Sequence, residues 1–186
     1  SVDVVLVIDI SNSMDNGRLT APKNAAKTFV NTMLGGNVVT DSKIAVATYN
    51  NSGHTIKALS GDKDALIAAI NGIKLDSNEQ NGGTNIQAGI QQGQALLNAG
   101  QNENKYMVLL SDGVPTYSYK GTAAENSWLI PKVDGGNYGF RITQFSDERK
   151  GSGSSYKLSD KQEYSIGKRP NRTTIKDNNK PSLSPA

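Results

Sequence analysis

The stretch Val2-Asp3-Val4-Val5-Leu6-Val7-Ile8-Asp9-Ile10-Ser11-Asn12-Ser13 decides the fold of this chain. From Val2 to Ile8 it is apolar and rich in β-branched residues, with Asp3 the only interruption. A strand covered on one face alternates apolar and polar side chains. A strand apolar at consecutive positions needs cover on both faces, as in the middle of a parallel sheet between layers of helices. Asp9 then stands at the carboxyl end of that strand, where a loop rich in hydroxyls begins.

Working outward, apolar residues recur at Ala21, Ala25, Phe29, Val30, Met33 and Leu34, the stripe of a helix over 20–34 that Gly35-Gly36 ends. Over 43–49, Ile44, Val46 and Thr48 alternate with Ala45, Ala47 and Tyr49, a strand. The cluster Asn50-Asn51-Ser52-Gly53 is a tight turn, so 54–59 returns antiparallel. Asp62 is placed to cap a helix that buries Leu66, Ala69, Ile70 and Ile73. A polar loop over 76–83 leads into a helix over 85–98 with Ile86, Ile90, Gly93 and Leu97 on one face. Gly89 and Gly93 lower its helix propensity and point to close packing on the sheet. A last apolar strand, 106–110, ends at Ser111-Asp112-Gly113. The order strand, helix, hairpin, helix, helix, strand defines an α/β fold. Its sheet is doubly wound and mostly parallel, flanked by helices, and occupies residues 1–113.

After Pro115 the pattern changes. Short stretches at 128–133, 138–145 and 155–158 are separated by Asp-Gly-Gly and Gly-Ser-Gly-Ser turns, so residues 114–186 are expected to form an inserted, β-rich arm after the fourth strand. Beyond about Arg169 the composition resembles a linker. The two parts differ in charge: residues 1–112 carry 8 Lys/Arg against 10 Asp/Glu, and residues 113–186 carry 12 against 7. The basic tail lacks the clustered arginines and interleaved aromatics of a nucleic-acid site, so a solvated basic surface is expected and nucleic-acid binding is not.

There is no cysteine. That argues against a disulfide-built animal module and suits either a cytosolic protein or a bacterial surface protein that avoids thiols. No apolar run reaches the roughly 20 residues of a membrane span. Ser1 leads straight into a strand, without a basic-then-apolar leader, so the flanks are expected to have been removed.

Three segments carry the chemistry: Asp9-Ile10-Ser11-Asn12-Ser13, Gly82-Gly83-Thr84-Asn85 and Ser111-Asp112-Gly113. In a doubly wound sheet the first strand and the strand after the third helix lie side by side, where strand order reverses. Ligand crevices open there, outside the carboxyl strand ends. Asp9, Ser11, Ser13, Thr84 and Asp112 should therefore converge as two carboxylates and three hydroxyls. Such hard oxygens select Mg²⁺, with Mn²⁺ or Ca²⁺ as alternatives, over zinc or copper. Neutral hydroxyls leave such an ion poorly neutralised, so it attracts an outside carboxylate to its open position.

Asp-x-Ser-x-Ser after a first strand, a later Gly-Gly-Thr-Asn and a strand ending in Ser-Asp-Gly resemble the metal-ion-dependent adhesion site of von Willebrand factor A-type domains. The resemblance covers residues 2–113. It implies that Ser11, Ser13 and Thr84 touch the metal, with Asp9 and Asp112 acting directly or through water. It implies a cell-surface adhesion module that binds a host or extracellular-matrix protein, and no enzymatic activity. Ser-Asp-Gly-Val-Pro-Thr (111–116), the absent cysteines and the insertion after the fourth strand further resemble A domains of Gram-positive pilus tips. That implies an extracellular place on the bacterial pilus or cell wall, among other pilus subunits and without direct membrane insertion. The sequence departs from the family in offering no strand–helix–strand pattern over 146–186, so the core is expected to be incomplete in this chain.

Other readings compete. An intracellular A domain serving as a scaffold in a metal-chelatase or ATPase-linked complex has the same motif. A Mg²⁺-dependent phosphatase would use Asp9 as nucleophile, but enzymes resembling the haloacid dehalogenases place a second Asp where Ser11 stands. Asn12 and Asn85 read as turn residues rather than ligands. Asp15 is a turn residue or part of a second cation site, and the lone His54 reads as a surface residue. Tyr117, Tyr119, Trp128 and Tyr138 would contact a ligand or form the arm's own small core. The arm is expected to help choose the ligand while leaving cation affinity almost unchanged.

Overall fold

The computed structural model describes residues 1–36, 41–78, 81–123, 142–151, 163–166 and 173–176. Strand β1 (Val2–Asp9) leads through a 3-10 turn (Asn12–Met14) into α1 (Thr20–Leu34). Then follow β2 (Lys43–Tyr49), β3 (Gly53–Ser60), α2 (Lys63–Asn71), α3 (Ile86–Asn98) and β4 (Asn104–Leu110). The four strands form one sheet in the order β3-β2-β1-β4. β1 runs parallel to both neighbours, and β2 and β3 form the antiparallel pair that the short turn demands.

The apolar run of β1 is buried along both faces, as its composition requires. Val4, Leu6 and Ile8 join Ile44 and Val46 beneath α1 and α2, where Ala26, Val30, Leu66 and Ile70 close the layer. Val5 and Val7 join Ala45, Ala47 and Tyr49 on the other face, against Leu97 of α3. Full burial of each such aliphatic side chain stabilises the fold by about 1.5–3 kcal/mol, which makes β1 the axis of the domain. Because α1 and α2 cover one face and α3 the other, the sheet is doubly wound. The reversal of strand order falls between β1 and β4.

Helix starts follow local chemistry. Asp62 Oδ1 accepts a hydrogen bond from Ala65 N at 3.0 Å and Asn85 Oδ1 accepts one from Ala88 N at 3.1 Å. Each satisfies an amide that the first helical turn would otherwise leave bare. The two helical glycines of α3 permit close approach: a Cβ on Gly89 would stand 2.6 Å from the Tyr49 ring, and one on Gly93 2.8 Å from Met107.

Some positions differ from the sequence reading. Ala21 and Ala25 are exposed, and the buried line of α1 runs through Ala26 and Val30 with Phe29 and Met33 beside it. Ile90 is exposed, its expected place on the sheet-facing side of α3 being taken by Gly89.

Beyond the sheet, β5 (Tyr117–Ala123) pairs antiparallel with β6 (Ile142–Gly151), and β7 (Glu163–Ile166) with β8 (Thr173–Lys176). The stretches 128–133 and 155–158 lie outside the described residues, and 138–145 overlaps the start of β6. Strand β8 falls where a linker was expected: Thr173-Thr174-Ile175 is a β-branched run that favours extended pairing despite its polar flanks.

Candidate metal centre

Parallel register fixes what surrounds Asp9. Asp9 lies opposite Tyr49 at the end of β2, and Ile8 opposite Leu110 at the end of β4, so three strands stop at one level. Asp9 is fully buried there. Its Oδ1 accepts from Ser11 N at 2.8 Å, and its Oδ2 accepts from Tyr49 Oη at 3.0 Å and from Ser111 Oγ at 2.8 Å. Burial, reinforced by the Asp9 charge, holds the Tyr49 phenol well above the ordinary tyrosine range, so it remains a donor. Every described hydrogen bond to this carboxylate comes from a neutral group.

From Asp9 the 3-10 turn swings the chain back, and the hydroxyls of Ser11 and Ser13 meet at 2.9 Å. Ser13 Oγ donates to Asp112 Oδ1 at 2.7 Å. Since that bond uses the only hydroxyl proton of Ser13, Ser11 is the donor in the bond between the two serines. A continuous line of oxygens thus runs from the buried Ser11 to the solvent-exposed Ser13 and Asp112. Arg18 stands at its outer end, donating to Ser13 O at 3.1 Å and lying 3.5 Å from Asp112 Oδ2, with its side chain 65% exposed.

Thr84 reaches the same place from the loop before α3. A Cβ on Gly113 would stand 3.3 Å from Ser13 Oγ and 3.8 Å from Thr84 Oγ1, so the two hydroxyls flank one backbone position. This loop is held at every residue. Gly82 O accepts from Asn12 N at 2.8 Å, Gly83 N donates to Asn51 Oδ1 at 2.7 Å, and Asn85 N donates to Asn50 O at 2.8 Å. Thr84 N donates to Thr116 Oγ1 at 2.8 Å, while Thr84 O accepts from Thr116 N at 2.8 Å and Tyr117 N at 3.1 Å.

The structure therefore brings Asp9, Ser11, Ser13, Thr84 and Asp112 together at the carboxyl ends of β1 and β4. Among the described residues there is no cluster of three or more His, Cys, Asp or Glu able to hold a metal. This donor set is instead two carboxylates and three hydroxyls, all hard oxygens, which suits Mg²⁺, Mn²⁺ or Ca²⁺ and offers nothing for a soft ion.

The remaining candidates take ordinary roles. Asn85 caps α3, and the Asn12 side chain packs on Gly82. Asp15 accepts from Asn16 N at 2.7 Å in a turn where Asn16 and Gly17 have φ of 55° and 84°. His54 is exposed, its Nε2 3.1 Å from Asn50 Oδ1. The Tyr117 ring lies against Gly83, and Tyr119 N donates to Gln87 Oε1 at 2.9 Å, so both tyrosines sit at the root of the arm. Trp128 and Tyr138 lie outside the described residues.

Tyr49, Asn51, Thr116 and Arg18 were not singled out from sequence. Tyr49 carried a usable signal: two parallel neighbours that both end in a polar turn stop at the same level, so the last residue of β2 flanks Asp9. The others act through loop–loop hydrogen bonds, which no periodicity encodes.

Residues 4–114 match the family model of the von Willebrand factor type A domain, and the chain belongs to that family. Minor fimbrium subunit Mfa5 of Porphyromonas gingivalis is 29% identical over 122 residues, which are 63% of this chain and 10% of that protein. The chain thus spans about a tenth of the curated relative's length. The solved vWF domain of Mfa5, a type V pili tip protein, superposes with a TM-score of 0.58 at 26% identity, over 68% of this chain and 45% of that one. The pilus adhesin SpaC of Lactobacillus rhamnosus GG, in an open conformation, gives 0.65 at 26% identity, over 95% of this chain and 21% of that one. Proximal thread matrix protein 1 of the mussel byssus shares the fold at 23% identity and a TM-score of 0.50, over 60% of this chain and 28% of that one. No helix among the described residues is long and apolar enough to cross a membrane.

Proposed function

We propose that this chain is a cell-surface adhesion module that binds a host or extracellular-matrix protein through one divalent cation. Ser11, Ser13 and Thr84 would hold the ion directly, with Asp9 and Asp112 supporting it directly or through water. The observation that carries this reading is the open line of oxygens from Ser11 through Ser13 to Asp112, flanked by Thr84. Asp9 has both carboxylate oxygens engaged by protein donors, which suits support from behind water. The bound cation, Mg²⁺ with Mn²⁺ or Ca²⁺ as alternatives, would supply an electrophilic open position for a carboxylate of the partner. The chain's own residues would present that position to solvent, at the exposed Ser13 and Asp112 end of the line.

The likeness to a pili tip protein and a pilus adhesin supports an extracellular place on a bacterial pilus or cell wall, beside other pilus subunits. It weighs against the intracellular scaffold. The zinc-occupied adhesion motif named for the mussel protein belongs to that protein; the all-oxygen donors here favour a harder ion. No enzymatic role is proposed: Asp9, the nucleophile that a phosphatase would need, is fully buried and hydrogen-bonded by Tyr49, Ser111 and the backbone. The arm over 114–186 would border the metal face and help choose the partner, since it begins two residues after Asp112. The test is attachment of the purified chain to a panel of immobilised matrix proteins, with Mg²⁺ and with chelator. Attachment lost in chelator and in Asp112→Ala supports the reading. Attachment indifferent to both overturns it.

A further inference from the structure

We infer that Thr116, at the root of the arm, is a positioning residue for the cation site, so that the arm and the metal are thermodynamically coupled through Thr84. This rests on the reading of Thr84 as a ligand.

Thr84 is buried, with 4% of its surface exposed, yet it belongs to no regular element. Its backbone amide and carbonyl must therefore find partners in other loops. Both do so in the first residues after the Ser111-Asp112-Gly113 turn. The Thr116 hydroxyl accepts from Thr84 N at 2.8 Å, and Thr84 O accepts from Thr116 N at 2.8 Å and Tyr117 N at 3.1 Å. Two residues on, Tyr119 N donates to Gln87 Oε1 at 2.9 Å in the first turn of α3, and the Tyr117 ring covers Gly83. The start of the arm is thus latched to the loop that delivers the Thr84 hydroxyl.

Of the bonds that this latch makes to Thr84 itself, the one from the Thr116 side chain is the one that a substitution can remove cleanly. Without its hydroxyl, Thr84 N–H is buried with no acceptor, and the loop has to move to satisfy it. A ligand hydroxyl displaced by even a fraction of an ångström loses much of its contact with a hard cation whose metal–oxygen distances are narrow. Coupling is reciprocal: if the latch sets cation affinity, then the cation also holds the arm root in place. A partner engaging the arm would therefore act on the metal, and the arm is not the separable specificity device expected from sequence.

The experiment is calorimetric titration of the full chain with Mn²⁺ alone, comparing wild type with Thr84→Ala, Thr116→Val, Thr116→Ala and Thr116→Ser. Thermal unfolding of each variant in chelator accompanies it. The expected result is a Kd about tenfold weaker in Thr116→Val and Thr116→Ala, restored within about twofold in Thr116→Ser. Thr84→Ala should weaken binding at least as much. Wild-type affinity in either hydroxyl-free variant, while Thr84→Ala loses binding, overturns the latch and leaves the metal reading standing. Equal weakening in Thr116→Ser also overturns it, since the hydroxyl would then not be the cause. Binding unchanged in Thr84→Ala, or absent in wild type, sinks the ligand reading and the latch with it. Should Thr116→Val fail to fold, the pair Thr116→Ala and Thr116→Ser decides alone.

Discussion

Strand β1 carries a fully buried carboxylate at each end, and the two ends differ in what surrounds them. Asp3 lies at the amino end. It accepts from Asn102 N at 3.0 Å and Asn102 Nδ2 at 2.8 Å, and Gly100 packs directly on it. The same Asn102 amide reaches Asp41 O at 3.0 Å, so this carboxylate ties the start of β4 to the loop before β2. Asp9 lies at the carboxyl end and is surrounded by hydroxyls, with a line of further oxygens leading out to solvent. Both are satisfied by neutral donors, so burial and hydrogen bonding alone do not tell a structural carboxylate from one proposed to serve a metal. The difference is in the partners. Backbone and amide N–H groups can only donate, whereas hydroxyl oxygens can turn and offer lone pairs to an ion. In open α/β sheets the carboxyl ends of the strands also face the crevice.

That contrast yields predictions of opposite sign. The largest effect is expected at the structural end: Asp3→Ala removes a fully buried carboxylate and leaves two half-buried N–H groups of Asn102 without that acceptor, and should cost about 2–4 kcal/mol of folding stability. Chemical denaturation checks this, and cation affinity at the proposed site should stay at the wild-type value in the fraction that folds. A drop in affinity comparable to that of a site variant would erase the distinction between the two ends. Next in size is Ser13→Ala, whose side chain is exposed. Stability in chelator should change by less than about 0.5 kcal/mol, as for other surface positions. Mg²⁺ or Mn²⁺ binding should weaken tenfold or more, read by calorimetry.

The smallest effect is expected at Arg18, and it runs the other way. Its guanidinium lies 3.5 Å from Asp112 Oδ2 while largely exposed, so the pair contributes little to stability. It does place a positive charge where a cation would sit. Arg18→Ala should therefore tighten Mg²⁺ binding by about twofold to threefold at low salt, with the gain shrinking as salt screens the repulsion. A titration series in ionic strength measures it, and weaker binding in the variant would mean that Arg18 supports the site instead of opposing it.

Much of this architecture was legible because burial imposes periodicity. The unbroken apolar run of Val4 to Ile8 required two covered faces, and the split of Ile44, Val46 and Thr48 from Ala45, Ala47 and Tyr49 matched them. The helix over 20–34 was bounded correctly at both ends. Its buried line was misplaced by one position because alanines carry too little apolar area to mark a face; Phe29, Val30 and Met33 alone would have placed it. Ile90 was misassigned because the sheet-facing side of α3 is lined by glycines, which leave no hydrophobic signal while Tyr49 and Met107 fill the space above them. For the proposed site, Asp9, Ser11 and Ser13 were legible in one segment, Asp112 in its place at a strand end, and Thr84 in following Gly82-Gly83 at a helix start. Thr116 and Asn51 could not, because their roles depend on hydrogen bonds between loops distant in sequence.

The proposed metal centre depends most directly on Asp9. Calorimetric titration of the wild-type chain with Mg²⁺ or Mn²⁺ should reveal a single site. In Asp9→Ala, confirmed as folded by circular dichroism, that site should vanish. Undiminished binding in a folded Asp9→Ala variant would contradict the assignment of these residues as the metal centre.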